Sequence, residues 1–130
     1  MTSSKLEVLT PANCQIIFID HQPQMAFGVQ SIDRQVLKNN TVALAKAAKV
    51  FNIPTIITTV ETESFSGNTY PELLDVFPGQ DILERTSMNS WDDQNVRDAL
   101  ARNAAQGRKK IVVSGLWTEV CNLGFALSCM

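Results

Sequence analysis

The chain has 130 residues, of which 45% are hydrophobic and 18% charged, with a formal net charge of −2. That length allows one domain, and the composition is that of an ordinary globular protein rather than a disordered one. With no basic stripe nucleic acid is not an expected partner, and no apolar run approaches the roughly 18 residues of a membrane span.

The first thirteen residues, MTSSKLEVLTPAN, lack the basic-then-apolar order of a signal peptide, so a cytoplasmic location is expected. Cys14, Cys121 and Cys129 are odd in number and have no framework spacing, which reads as reduced thiols. Residues 14–19, CQIIFI, are an unbroken apolar run ending at Asp20 and predict a strand buried on both faces. The following HQPQMAFGVQ reads as a loop. Residues 33–51 place Val36, Leu37, Val42, Leu44, Ala45, Ala48 and Val50 at spacings of three and four, with Asp33 able to cap, and predict a helix. PTIITTV, residues 54–60, predicts a second buried strand; ETESFSGNTY reads as a polar loop and PELLDVFP as a short helix or turn.

Residues 81–84, DILE, suggest a brief third strand. Residues 92–105 predict a second long helix, with Asp92 or Asp93 at its N-cap and Gly107 beyond its end. KKIVVSG gives another buried strand from Lys110 to Ser114, and EVCNLGFALSCM looks helical. No internal repeat or linker interrupts the chain. Strands alternating with helices predict an α/β fold, a three-layer α-β-α sandwich around a parallel, doubly wound sheet, in one domain over residues 1–130.

Ligands of such sheets bind beyond the carboxyl ends of the strands. Asp20, Arg85 and Cys121 all fall there. Each has an ordinary reading: a turn aspartate, a solvated arginine beside Glu84, a small core thiol. Each also has a chemical one. Asp20 would be a general base or orienting carboxylate. Arg85 would stabilise a thiolate and fix the carboxylate. Cys121, near a helix start, would have its thiol pKa lowered by the helix dipole. His21, the only histidine, follows Asp20 directly and is expected to point to the opposite side. With no second histidine and no cysteine pair at ligand spacing, a metal site is not expected. Trp91 and Trp117 read equally as core aromatics or pocket walls.

Three segments, IIFIDHQ (16–22), ERTSMNSWDD (84–93) and IVVSGLWTEVC (111–121), resemble in this order the isochorismatase-like cysteine hydrolases, and most of all their YcaC-like branch. The resemblance implies an isochorismatase-like, Rossmann-like fold and a catalytic triad of Asp20, Arg85 and Cys121. It further implies a cis peptide between Leu116 and Trp117, an oxyanion hole from the N–H groups of Trp117 and Cys121, and substrate contacts from Gln22, Asn89, Trp91 and Trp117. Many family members carry lysine where Arg85 stands; arginine suits the YcaC-like branch. Isochorismatases proper lack the cysteine, and nicotinamidases carry an Asp-x-His metal motif with a further histidine after the second strand. Here that region is TVETESFSGNTY, so no metal, no cofactor and no nicotinamidase activity are expected.

Family domains have six strands. About four are visible here and the sequence stops in the helix after Cys121, so a fragment lacking the C-terminal part of the domain is expected. The expected function is hydrolysis of an amide-type C–N bond of a small molecule through a thioester, in a homo-oligomer. The alternative is a non-catalytic binding or assembly module, in which Arg85 would point away from Cys121. A redox role needs a resolving thiol, but Cys129 lies about 12 Å along a helix from Cys121.

Overall fold

The computed structural model describes residues 6–130. Its centre is β1 (Cys14–Ile19), in which every residue is buried. β1 pairs in parallel with β2 (Thr55–Val60) on one side and β4 (Lys110–Gly115) on the other, and β3 (Ile82–Arg85) extends the sheet beyond β2. The order is β3-β2-β1-β4. A central parallel strand covered on both faces has no solvent side, which is why CQIIFI shows no polar alternation.

The helices follow from their caps. In α2 (Arg34–Val50) the Asp33 carboxylate accepts the N–H groups of Gln35 and Val36 at 2.9 and 3.0 Å. Thr41, Ala45 and Ala48, at intervals of four and three, form its buried stripe. In α4 (Gln94–Ala105) the cap is Asp93, which accepts from Val96 at 3.1 Å. Gly107, at φ +89°, closes that helix in the left-handed region open to glycine.

The structure departs from the sequence reading in four segments, the first being β4, which lies at the sheet edge and is half-buried rather than buried. HQPQMAFGVQ contains a short helix, α1 (Pro23–Phe27), which buries Met25 and Ala26; five residues are too few to display a helical period. Residues 62–66 form a single π-helical turn ahead of α3 (Pro71–Val76) rather than an open loop. The final helical segment is divided: a π-helical turn over 118–122 holds Cys121, and α5 begins only at Leu123, spanning Leu123–Cys129.

Right-handed crossovers place α2 and α3 on one face of the sheet and α4 on the other, because the direction of strand addition reverses after β3. The pleat agrees. In register, Phe18, Ile57 and Ile82 share the α3 face, where Phe18 meets Phe77, while Ile19, Thr58 and Leu83 share the α4 face. The reversal leaves a crevice between the carboxyl ends of β1 and β4, where open α/β sheets bind ligands. No helix among the described residues is long and apolar enough to cross a membrane.

Gly115 closes β4 against that crevice. A Cβ there would stand 2.3 Å from the Asn122 amide oxygen and 2.8 Å from both the Cβ and the carbonyl oxygen of Ile19. Neither backbone nor a branched core side chain can yield, so Gly115→Ala is expected to lower stability by about 2 kcal/mol, read as a lower urea midpoint at unchanged slope.

Candidate active site

β1 ends at Asp20, whose φ of +58° takes the backbone into the left-handed region. Non-glycine residues held there cluster at functional positions. The Asp20 N–H still donates to the Thr58 carbonyl at 3.1 Å, and the side chain is completely buried. A carboxylate so placed needs a partner, and Arg85, the last residue of β3, supplies one. Its Nη1 and Nη2 donate to the two Asp20 oxygens at 2.6 and 2.8 Å. Nη1 also donates to Thr58 Oγ1 at 3.2 Å and Nη2 to the Met88 carbonyl at 3.1 Å. Thr58 donates its own proton to the Leu83 carbonyl at 2.7 Å, so its lone pairs face the guanidinium. Sequence reasoning missed Thr58; a hydroxyl within the aliphatic run TIITTV was the available signal.

Cys121 completes the group from the other side of β1. It is buried, and its thiol faces the Asp20 carboxylate, which favours the protonated sulfur. The thiol pKa is not lowered, as a helix start had suggested, but pushed up to about 12. Burial is the largest cause, followed by the hydrogen bond to Asp20 and that group's negative charge; the Arg85 charge and the Trp117 backbone oppose them only in part. Cys121 sits inside the π-helical turn, not at the head of α5, which removes the geometry on which a dipole effect depended.

The Leu116–Trp117 peptide is cis, as the resemblance implied. The two expected oxyanion donors differ. The Trp117 backbone faces the Cys121 sulfur and opposes the rise of its pKa, whereas the Cys121 N–H donates to the Trp117 carbonyl at 3.1 Å. The same carbonyl also receives the N–H groups of Val120 and Asn122, each at 3.2 Å, as the π-helical turn folds three donors onto one acceptor. The Cys121 N–H, expected to serve an oxyanion together with that of Trp117, is thus engaged within the turn.

Three of the expected substrate contacts are engaged within the protein. Gln22 is fully buried; its Nε2 donates to the carbonyls of Val60 and Gly67 at 3.0 and 2.7 Å, and its Oε1 accepts the Val60 N–H at 3.0 Å. It ties the end of β1 to the end of β2 and the turn beyond. Asn89 accepts the Trp91 N–H at 3.0 Å and donates to Ser128 at 3.1 Å, holding the segment after β3 against α5. Trp91 packs edge-on against Phe125, the core side of α5. Trp117 lines an open groove. Its Nε1 donates to the Met25 carbonyl at 2.7 Å, and its ring lies against Gly28, where a Cβ would come within 2.7 Å of it.

Residues 14–130 match the isochorismatase domain family. The chain belongs to the isochorismatase family. It is 36% identical over 114 residues to the probable hydrolase YcaC of Escherichia coli K12, covering 87% of this chain and 53% of that protein. The crystal structure of the E. coli YcaC gene product, described as an octameric hydrolase of unknown specificity, superposes with a TM-score of 0.87 at 33% identity, over 98% of this chain and 61% of that one. YcaC from Pseudomonas aeruginosa, solved with hexane-2,5-diol and covalent acrylamide, gives 0.88 at 32% identity over 98% and 62%. The chain thus spans between about half and two thirds of these relatives.

His21, beside this isochorismatase-family site, faces away from it, as the sequence suggested. Its Nε2 lies 3.0 Å from Ser114 Oγ, and its ring packs against Phe18 and Tyr70 on the α3 face. Burial lowers its pKa to about 4, against smaller opposing effects of Ser114 and Asp20. The unfolded chain therefore takes up this proton first as pH falls. The contribution of neutral His21 is complete above about pH 6.5 and is lost as pH falls through about 4, a loss on the order of 3 kcal/mol. Urea midpoints across that window should fall with pH, and His21→Gln should flatten the fall.

Proposed function

We propose that this chain carries the reaction centre of a cysteine hydrolase that cleaves the C–N bond of a small amide through a thioester on Cys121. The observation that carries this reading is the buried relay from the Cys121 thiol to the Asp20 carboxylate, which Arg85 holds by two parallel hydrogen bonds. The thiol is neutral at rest, so attack and proton removal must be coupled. Sulfur adds to the amide carbon as its proton passes to Asp20. The carbonyl oxygen becomes an oxyanion and takes the N–H of Trp117. Protonated Asp20 then donates to the departing nitrogen, the C–N bond breaks, and an amine and a thioester remain. Water, deprotonated by the regenerated carboxylate, attacks the thioester, and the proton returns to sulfur as the acid leaves.

Arg85 orients Asp20 through two parallel hydrogen bonds before and after attack. A groove of about 600 Å³ lies beside the Leu116–Trp117 peptide, formed by Trp117 with Val29, Ile32, Leu37 and Leu116; Cys121 itself does not line it. Two relatives bear on the chemistry: one is called a probable hydrolase, and another is seen with covalent acrylamide, an electrophile that takes a nucleophile at its β-carbon and keeps its C–N bond. The octameric relative supports a homo-oligomer. No metal or cofactor enters the scheme, and a cytoplasmic location belongs to the same reading. A non-catalytic module would leave Arg85 turned away from the thiol; here the guanidinium is anchored on the carboxylate that bonds it.

The test is a panel of small primary amides, followed by amine release and by intact mass. Turnover with an acyl adduct mapped to Cys121 is expected. Cys121→Ala should abolish both, and Asp20→Asn should slow acylation by on the order of 10²–10⁴-fold. Turnover that survives Cys121→Ala would sink the scheme. Independently of any substrate, iodoacetamide should label Cys121 slowly at neutral pH and ever faster toward strongly alkaline pH. A labelling rate that levels off below pH 8 would mean a resting thiolate.

A further inference from the structure

The end of α1 rests on Trp117. The indole Nε1 donates to the Met25 carbonyl at 2.7 Å, and Gly28, whose N–H closes α1 on the Ala26 carbonyl, lies against the same ring. Gly28 has φ −78° and ψ −7°, a right-handed conformation open to any residue, and its position is exposed. The backbone therefore does not call for glycine; the ring does. The three atoms nearest to a Cβ there all belong to Trp117: Cζ2 at 2.7 Å, Cε2 at 3.4 Å and Cη2 at 3.6 Å. Cζ2 and Cε2 form the edge of the indole that carries Nε1. A methyl group would push on the hydrogen-bonded side, and the ring could yield only by giving up the Met25 carbonyl or by carrying its own backbone with it.

Both ends of this contact are fixed to the site. Behind α1, the Gln22 side chain is tied to Val60 of β2, the Gln22 carbonyl accepts the Ala26 N–H at 3.0 Å, and Met25 and Ala26 are buried. α1 is thus a braced continuation of the strand end that carries Asp20. Beyond the ring, the Trp117 carbonyl gathers the N–H groups of Val120, Cys121 and Asn122. The Trp117 backbone also faces the Cys121 sulfur, where it opposes the rise of the thiol pKa. A shift of Trp117 is therefore passed to Cys121. Carboxylate and thiol come from distant parts of the chain, and this contact refers both to the end of β1.

We infer that Gly28 is a positioning residue for the nucleophile: with the Met25 carbonyl it seats the Trp117 indole, and through the Trp117 backbone it sets where the Cys121 sulfur stands relative to Asp20. The inference deepens the proposed reading and rests on it for the role of Cys121, but its readout needs no substrate.

Iodoacetamide labelling of Cys121 is followed against pH in the full chain, with the labelled peptide mapped and Cys129 as internal reference. Gly28→Ala should slow Cys121 labelling about threefold or more at each pH and leave Cys129 unchanged. Trp117→Phe, which lacks both Nε1 and the fused edge, should slow it as well. Adding Gly28→Ala to Trp117→Phe should then change little, because the atoms that the methyl group would meet are gone. Gln24→Ala, an exposed substitution on the same helix, should match the parent chain. Urea midpoints report folding separately. Labelling of Cys121 that is unchanged or faster in Gly28→Ala overturns the inference, even beside a lowered midpoint. Equal slowing by Gly28→Ala in both backgrounds also overturns it, since the effect would not run through the ring. Absence of amide turnover would count against the hydrolase reading alone and would leave these rates as they are.

Discussion

The buried ion pair of Asp20 and Arg85 is the constraint on which the site depends. Taking two charges out of water costs several kcal/mol per ion, and only near-complete hydrogen bonding recovers it. Here both carboxylate oxygens are met by the guanidinium, and the remaining guanidinium donors reach Thr58 and Met88, with Nε alone left without a partner. β1 and β3 are not neighbours in the sheet; β2 stands between them. The pair therefore bridges a strand, and Thr58 on that strand is the post against which the bridge rests. Three strand ends are fixed relative to one another by charge, and Gln22 repeats the tie from β1 to β2 through backbone groups.

That arrangement decides the state of the thiol. Asp20 is closer to Cys121 in effect than Arg85 is, because the hydrogen bond and the charge of the carboxylate both favour the protonated sulfur. With the pKa near 12, forming a free thiolate at pH 7 would cost about 7 kcal/mol. A mechanism through a preformed ion pair would add that cost to its barrier. Transfer of the proton to Asp20 during attack avoids it, since the acceptor is already in contact with the donor. Arg85 then acts chiefly on Asp20, holding both of its carboxylate oxygens in place.

The sequence carried the strands and long helices openly, because their signals are local: unbroken apolar runs for β1, β2 and β4, and Asp33 and Asp93 ahead of periodic stripes for α2 and α4. It concealed α1 and the two π-helical turns, which are too short to show a period. At the site, strand-end position brought out Asp20, Arg85 and Cys121 together as candidates. Gln22, Asn89 and Trp91 lie within the same segments, yet their side chains hold the frame. Proximity in a motif says which residues arrive together; it does not say which way an amide or an indole turns once backbone donors and acceptors compete for it. The direction of the Cys121 shift was hidden for a related reason: a dipole can be anticipated from a helix start, whereas burial depends on everything packed around it.

The same pleat that brings Arg85 to Asp20 keeps opposite charges apart on β3. Glu84 and Arg85 are consecutive, and on a flat loop they would neutralise one another. Alternation sends Arg85 to the α4 face, where Asp20 takes both of its prongs, and Glu84 to the α3 face, where two threonine hydroxyls and a backbone N–H satisfy it. Were Glu84 on the same face, it would compete with Asp20 for the guanidinium, and the carboxylate beside Cys121 would lose part of what keeps it aligned. The strand thus acts as a divider. A short edge strand of four residues, Ile82–Arg85, gives each face one charge, and the chemistry on one side is insulated from the carboxylate on the other by the thickness of a single backbone.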